Sequence, residues 1–234
     1  MTANYIDMLN RNFRLAPERA ALVLVDLQYA SGSRALGLGA WLKEQGRLSD
    51  ASYRFDRIDK SVVPNSRRLL EAFRRAGLRV VHLTIGAELP DYSDVPQHMR
   101  AFFAACRNHA GSREHEIIDE LKPIDGEPVL NKTTQGAFAS SRIDQLLKAL
   151  GVTQLVMVGV STNNCVETTA REASDRGYEA VLVGDATGTC SDMMQTAALT
   201  GFSRLWGRVL DTAGVFDELS LTEPRSAEPA RRSA

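Results

Sequence analysis

The chain carries at residues 155–171 the stretch LVMVGVSTNNCVETTAR, which predicts a buried strand, a polar elbow and the first turns of a helix. In open α/β folds this kind of junction lies at the carboxyl edge of the sheet, where ligands bind. The elbow places Cys165 near a helix N-terminus, whose free N–H groups favour a thiolate. Most free cysteines, however, are small buried side chains. The stretch therefore predicts an α/β fold and leaves two roles open for Cys165.

Apolar runs alternate with helical patterns along the rest of the chain. The runs that predict strands cover residues 21–25, 78–83, 128–130, 154–158, 180–183 and 208–210. The patterns that predict helices cover residues 62–76, 140–150, 164–176 and 192–205. Gly77, Gly151 and Gly177 follow the ends of three of these helices, a position that favours glycine. The alternation predicts a three-layer α/β/α fold with a mostly parallel, doubly wound sheet of about six strands.

The composition indicates one globular domain. The 234 residues are 44% hydrophobic with a formal net charge of −1, which gives no electrostatic reason to expect a nucleic-acid or membrane partner. The three cysteines form no CxxC pair, so neither a disulfide framework nor a zinc site is expected. No apolar run approaches the ~20 residues that span a bilayer, and the N-terminus lacks a signal-peptide pattern. We expect a cytoplasmic protein with an extension over residues 1–17, one domain over 18–221 and a flexible tail over 222–234.

Two charged residues stand at the ends of other predicted strands. Asp26 follows the apolar run that starts at Ala20, and Lys132 ends a short run that starts at Glu127. The carboxyl ends of parallel strands meet at one edge of the sheet, which allows Asp26, Lys132 and Cys165 to converge. Each residue alone has a more ordinary explanation, since an acid after a strand often caps a helix and a single lysine is usually solvated.

The order and sequence context of Asp26, Lys132 and Cys165 resemble those of the isochorismatase-like cysteine hydrolases. This family includes nicotinamidases, N-carbamoylsarcosine amidase, ureidoacrylate amidohydrolase and biuret hydrolase. The resemblance covers roughly residues 18–212, and its most specific part is residues 159–171. It implies that 18–221 is a hydrolase domain, that Asp26, Lys132 and Cys165 form a catalytic triad, and that the protein is a homo-oligomer, either a dimer or a tetramer.

The resemblance also implies the chemistry. A cis peptide bond is implied between Val160 and Ser161, with the backbone N–H groups of Ser161 and Cys165 as oxyanion donors. Asp26 takes the proton of Cys165, whose thiolate attacks a planar C–N carbonyl to form a thioester and release ammonia or an amine. Lys132 lowers the pKa values of Asp26 and Cys165 and holds the two side chains in position. This route requires neither a metal nor an organic cofactor.

Departures from the family patterns narrow the expected substrate. Nicotinamidases place Asp and His metal ligands after the second strand, but here His82 is inside that strand and residues 84–94 contain no histidine. The second acid of the frequent opening DxQNDF is missing from residues 26–31, DLQYAS. True isochorismatases lack a nucleophilic cysteine at the position of Cys165. We therefore expect a hydrolase of small linear amides, with ureide or carbamoyl compounds favoured. The alternatives are a nicotinamidase-like or other amide hydrolase and a catalytically inactive binding or scaffold relative.

The segment 29–60 is irregular and directly follows Asp26, so it is expected to lie over the site as a lid or a specificity element. The alternative is that Trp41 and Leu42 anchor a surface helix and that Arg34 is solvated. The residues predicted to contact a compact polar substrate are Gln28, Tyr29, Arg34, Thr133, Gln135, Phe138 and Asn163. Against this, several of the polar side chains in that set are expected to cap helices or face solvent.

Overall fold

A computed structural model describes residues 5–223 of the chain. Six segments form one sheet in which all neighbouring strands are parallel. They are β1 (Ala20–Val25), β2 (Arg79–Ile85), β3 (Val129–Lys132), β4 (Gln154–Val160), β5 (Glu179–Gly188) and β6 (Arg208–Leu210). Their order across the sheet is β3-β2-β1-β4-β5-β6. The predicted α/β fold with about six mostly parallel strands is confirmed.

The strand order reverses direction at β1, which lies between β2 and β4. Strands that follow β1 in the chain therefore extend the sheet first to one side and then to the other. In such doubly wound sheets, the crevice at the carboxyl ends of the strands beside the reversal is where ligands bind. The topology thus points to the carboxyl ends of β1 and β4 as the place to search for a site.

Side chains of β1 face both sides of the sheet in turn. Leu22 and Leu24 belong to one apolar core, whereas Ala21, Val23 and Val25 belong to the other. A strand that is covered on both faces has no solvent side, so polar residues are disfavoured at every position. This double burial explains why the run after Ala20 is continuously apolar rather than alternating.

Helices cover both faces of the sheet. They are α1 (Tyr29–Gly32), α2 (Gly37–Glu44), α3 (Ser52–Arg57), α4 (Val63–Arg75), α5 (Gln97–Ala105), α6 (Ala137–Ser140), α7 (Ile143–Ala149), α8 (Glu167–Asp175), α9 (Asp192–Ser203) and α10 (Thr212–Leu219). Short 3₁₀ turns cover Asp7–Leu9, Leu48–Ala51 and Asp119–Leu121, and π-helical turns cover Ile58–Val62 and Thr162–Val166. Apolar residues of α4 and α10 pack in one core, and those of α7, α8 and α9 pack in the other.

The four predicted helices correspond to α4, α7, α8 and α9, with ends that differ by at most three residues. Strand β5 extends well beyond the predicted 180–183, because Gly184 and Asp185 interrupt its apolar run without ending the strand. The pairing of β5 with β4 shifts register between Met157 and Gly159, which accommodates this interruption. Short helices that lack a clear apolar period, such as α3 and α5, have no counterpart in the sequence-based prediction.

The segment 29–60 is helical rather than irregular, and it contains α1, α2 and α3. Glycine at two positions of α2 weakened the helical signal in the sequence. A Cβ on Gly39 would lie 2.4 Å from the carbonyl oxygen of Ser33, so the close approach of the chain requires glycine there. The alternative that Trp41 and Leu42 belong to a helix is confirmed.

The two ends of the chain are only partly described. Leu15 is buried, and the backbone N–H of Ala16 donates to Oε1 of Gln154 at 2.7 Å, so the segment before β1 is attached to β4. The predicted tail 222–234 lies outside the described residues, apart from Thr222 and Glu223. Within residues 5–223, no helix has both the length and the apolar character needed to cross a membrane.

Candidate active site

Asp26 and Lys132 form a buried ion pair at the carboxyl edge of the sheet. Lys132 is the last residue of β3, and its Nζ lies 2.9 Å from Oδ2 of Asp26, which directly follows β1. The side chain of Lys132 is 0% exposed and that of Asp26 is 2% exposed. Nζ also donates to the carbonyl oxygen of Thr134 at 3.2 Å. Because removing two charges from water is costly, a pair like this indicates function more strongly than stabilisation.

The second carboxylate oxygen of Asp26 is unused. Oδ1 is buried and makes no hydrogen bond with residues 5–223. The backbone around it is fixed, because the N–H of Asp26 donates to Leu83 and its carbonyl accepts a 2.6 Å hydrogen bond from Oγ of Ser31. Asp26 also has a φ of 54°, in the left-handed region that most residues avoid. The local fold thus holds a carboxylate with one free acceptor oxygen at the site.

Strand β4 ends in a sharp elbow that carries Cys165. Gly159 has a φ of 120°, and the peptide bond between Val160 and Ser161 is cis, as the family resemblance implies. A π-helical turn over Thr162–Val166 follows, and α8 begins directly after it. Cys165 therefore lies in a turn that precedes the α-helix. This turn brings the thiol to the same sheet edge as the Asp26 carboxylate.

Gly159 is required by this elbow. A Cβ at position 159 would lie 2.1 Å from the carbonyl oxygen of Val25, and the φ of 120° disfavours any L side chain. We expect Gly159→Ala to lower the free energy of unfolding by about 3 kcal/mol or more, measured by urea denaturation. Gly77→Ala is the matched control, since Gly77 also has a positive φ but a Cβ there meets nothing within 4 Å. Equal losses in the two variants would contradict the steric explanation.

The thiol of Cys165 is protonated in the resting protein. Burial raises the pKa of Cys165 to about 12, and the Asp26 carboxylate adds to this rise. The Lys132 ammonium acts in the opposite direction but does not outweigh them. Burial and the Asp26 carboxylate thus oppose the thiolate that the position near a helix N-terminus is expected to favour. Cys165 needs a base to become a nucleophile.

Asp26 is placed to be that base. Burial raises the pKa of Asp26, although Lys132 and the thiol lower it. For Lys132, burial favours the neutral amine, but the Asp26 carboxylate outweighs this effect and the pKa of Lys132 is raised. Lys132 is thus a permanent cation at neutral pH. A carboxyl group with a raised pKa is well matched to accepting a proton and returning it.

The three residues meet at a cavity of about 420 Å³, a volume suited to a small molecule. Asp26 and Cys165 contribute to its wall. The lining residues are Asp26, Ser31, Leu38, Arg54, Ile85, His98, Met99, Phe102, Phe103, Gln135, Val160, Ser161, Asn164, Cys165 and Cys190. Most of this wall is apolar.

Residues 20–214 match the family model described as the isochorismatase domain. The chain belongs to the isochorismatase family. The match begins at the first residue of β1 and ends within α10, so it includes the whole sheet and each of the three residues at the site.

Several relatives within the isochorismatase family are similar over most of this chain. The ureidoacrylate amidohydrolase of Caulobacter segnis is 30% identical over 222 residues, which cover 87% of this chain and 88% of the relative. The structure of N-carbamoylsarcosine amidase from Thermoplasma acidophilum has a TM-score of 0.60 at 27% identity, covering 83% of this chain and 96% of that one. A cysteine hydrolase from Pseudomonas syringae shares the fold, with a TM-score of 0.75 at 23% identity and coverage of 94% and 99%.

Among the seven residues predicted to contact substrate, the structure places only Gln135 in the cavity wall. Tyr29 and Arg34 line a separate hollow. Arg34 is held by ion pairs of 2.5 Å to Asp56 and 3.0 Å to Asp59, so its charge is already satisfied. These two side chains therefore lie outside the wall of the cavity that contains Asp26 and Cys165.

Gln28 has a structural role in this arrangement. It is 0% exposed, its Oε1 accepts from the N–H of Ile85 at 2.8 Å, and its Nε2 donates to the carbonyl oxygen of His115 at 2.7 Å. Both ends of the amide are therefore occupied by the protein itself. Gln28 links the segment after β1 to β2 rather than facing the cavity.

The remaining three predicted contacts also lie away from the cavity wall. Thr133 uses its backbone N–H in a loop hydrogen bond. Phe138 packs against the ring of Tyr178 with 5.7 Å between ring centroids. Asn163 accepts a hydrogen bond from the hydroxyl of Thr189, whereas its neighbour in the sequence, Asn164, lines the cavity. The side chains of Gln28 and Asn163 thus bond within the protein rather than capping a helix.

Segment 29–60 contributes to the cavity wall, in line with the expectation that it lies over the site, but the particular residues were not predicted, and neither was the contribution of α5. This part of the wall comes from α2, α3 and α5 and includes Leu38, Arg54, Met99, Phe102 and Phe103. An arginine in a polar helical segment has the pattern of a surface residue, so no sequence signal singled out Arg54. The adjacent pair Phe102 and Phe103 offered a weak signal, because ligand pockets are lined mostly by hydrophobic and aromatic side chains.

His82 has a structural partner. It lies in β2 and is 1% exposed, with Nε2 2.9 Å from Oε2 of Glu127. Burial lowers the pKa of His82, which keeps its imidazole neutral. Within residues 5–223, there is no group of three or more His, Cys, Asp or Glu side chains arranged to hold a metal ion.

Proposed function

We propose that this protein is a cysteine-dependent amidohydrolase that cleaves C–N bonds in small linear amides, with ureide or carbamoyl compounds favoured. The observation that carries the proposal is the buried Asp26–Lys132 pair beside the protonated thiol of Cys165, at the wall of a small cavity. The names of the relatives support the same reaction class, since the Caulobacter segnis protein is a ureidoacrylate amidohydrolase and the Thermoplasma acidophilum protein is an amidase.

In the proposed first half-reaction, Oδ1 of Asp26 takes the proton of Cys165. The thiolate then attacks the carbonyl carbon of the substrate, and the developing oxyanion accepts hydrogen bonds from the backbone N–H groups of Ser161 and Cys165. Asp26 gives its proton to the departing nitrogen as the C–N bond breaks. Ammonia or an amine leaves, and the acyl group remains on sulfur as a thioester, or as a thiocarbamate for a ureide.

In the second half-reaction, Asp26 takes a proton from water, and the resulting hydroxide attacks the acyl carbon. The C–S bond breaks, and Asp26 returns the proton to the sulfur of Cys165. Lys132 remains an ammonium throughout and stabilises the carboxylate form of Asp26 by direct contact. This route assigns no task to a metal or an organic cofactor.

We further propose that the protein is cytoplasmic and forms a homo-oligomer, either a dimer or a tetramer. The homo-oligomer rests on the family resemblance. The proposed hydrolase domain covers residues 18–221, in agreement with the extent of the family match over 20–214.

The substrate class is tested by ammonia release from a panel of nicotinamide, simple aliphatic amides and linear ureides. We expect kcat/KM for the best ureide to exceed that for nicotinamide by about 100-fold or more, because a compound that leaves the polar groups of the cavity wall unpaired is disfavoured. A chelator is included as a control and is expected to leave the rate unchanged. Preference for nicotinamide, or turnover of aliphatic amides without ureides, contradicts the ureide assignment. No turnover of any compound favours a binding or scaffold role.

A further inference from the structure

Arg54 is a buried cation in the cavity wall that lacks an acidic partner. It lies on α3, is 7% exposed and lines the same cavity as Asp26 and Cys165. Among residues 5–223, no Asp or Glu forms an ion pair with its guanidinium. By contrast, two partly buried arginines, Arg74 and Arg208, pair with Glu127 and Glu218.

The hydrogen bonds of Arg54 all go to neutral oxygens. Nη1 donates to Oγ of Ser161 at 2.7 Å, and Nε and Nη2 donate to the carbonyl oxygen of Ser31 at 3.3 and 3.1 Å. A guanidinium has five N–H groups. One N–H on each terminal nitrogen is therefore left without a partner among the described residues, and two is the number that a carboxylate accepts from an arginine.

This charge cannot be removed by deprotonation, because arginine stays protonated in proteins. A buried charge without a counter-ion is costly, so an anion that enters the cavity gains the full attraction of the guanidinium. The carboxylate of the cavity wall, Asp26, is already neutralised by Lys132. Of the described residues that line the cavity, Arg54 is the one arginine or lysine. The site thus has one position for a negative charge.

We propose that Arg54 binds a carboxylate of the substrate, and that the preferred substrate is a small amide or ureide that carries a carboxylate. The inference rests on the proposed amidohydrolase function and specifies its substrate class. Since Arg54 touches Ser161 at the elbow of β4, the carboxylate lies only a few bonds from the carbonyl that Cys165 attacks. The apolar wall of Leu38 and Phe103 encloses the short link between the two groups.

The test compares ureidoacrylate with its methyl ester, which differs by one negative charge. We expect the wild-type protein to prefer the acid, and Arg54→Met to raise KM for the acid by at least about 30-fold. KM for the ester changes by less than about threefold, because the ester makes no ion pair. Arg54→Lys keeps the charge but loses the bidentate contact, so its KM for the acid is expected to lie between those of the wild type and Arg54→Met.

Arg57→Met is the matched control. Arg57 lies on the same helix and also bonds only neutral carbonyl oxygens, those of Thr187 and Gly184, but it does not line the cavity. Its loss is expected to leave the ratio of KM values for acid and ester unchanged. If Arg54→Met weakens acid and ester equally, the residue only orders Ser161 and the proposal is overturned. Wild-type preference for the ester overturns it as well.

Failure of the proposed function is distinguishable from failure of this inference. If no amide or ureide is hydrolysed, the proposed function fails, and binding decides the role of Arg54. Calorimetry with Cys165→Ala measures the Kd of ureidoacrylate, N-carbamoylglycine and propionate, with and without Arg54→Met. Binding of at least one acid that is lost with Arg54→Met supports the carboxylate site. Binding of none, or binding that does not depend on Arg54, overturns it.

Discussion

Replacing Cys165 by alanine is expected to reduce turnover by about 1,000-fold or more while the protein remains folded. The proposed thioester forms on this sulfur, and loss of a nucleophile removes the whole covalent route. The change deletes one atom from a side chain that partly faces the cavity, so little packing is lost. The measurement is ammonia release per folded molecule, with circular dichroism to establish folding.

Cys106→Ala is the control for this variant. Cys106 is buried, with its pKa raised to about 12 by burial, and it does not line the cavity. Turnover per folded molecule is expected to remain near that of the wild type. Rapid quenching followed by mass spectrometry of the wild-type protein should find the acyl adduct on the peptide that contains Cys165. Unchanged turnover by Cys165→Ala, or an adduct on another cysteine, would show that the nucleophile lies elsewhere.

Asp26→Asn is expected to reduce kcat by about 100- to 10,000-fold, the range typical for a lost general base. The amide is nearly the same size as the carboxylate, so the variant keeps the packing but cannot take a proton from Cys165. Lys132 then remains as a buried ammonium without its counter-ion, which lowers stability and makes a folding check necessary. If turnover per folded molecule is normal, Asp26 is a structural partner of Lys132.

The titration of Cys165 separates the two charged residues. The Asp26 carboxylate raises the pKa of the thiol, and Lys132 lowers it. In Asp26→Asn, the midpoint for alkylation of Cys165 by iodoacetamide is therefore expected to move to lower pH, even though turnover falls. In Lys132→Met, the loss of the cation moves this midpoint upward. Equal midpoints in the two variants would contradict the proposed arrangement of charges around the thiol.

The sequence predicted the sheet well because its strands are buried on both faces. Runs such as 154–158 are apolar at every position, and the glycines that follow α4, α7 and α8 mark where each helix ends. The helical signal of α2 was weak because close packing places glycine within this helix, as at Gly39. Sequence periodicity indicates which face of a helix or strand is buried. It does not indicate where a close backbone contact requires glycine.

The meeting of Asp26, Lys132 and Cys165 could be predicted because parallel strands share one edge. The substrate contacts could not, because the direction of a side chain after a strand depends on local backbone angles that the sequence pattern does not reveal. Asn163 and Asn164 illustrate this: the first bonds within the protein, and the second lines the cavity. Arg54 is more than a hundred residues from Ser161, and only the tertiary fold brings them together.

The cavity wall has two origins, and this division has an evolutionary consequence. Its reactive side comes from the strand ends, whereas the opposite side comes from helices inserted between β1 and β2 and between β2 and β3. Those insertions contact the strand ends without contributing to strand pairing. Proteins with this sheet can therefore change substrate selectivity through the helices between these strands, while Asp26, Lys132 and Cys165 keep their positions.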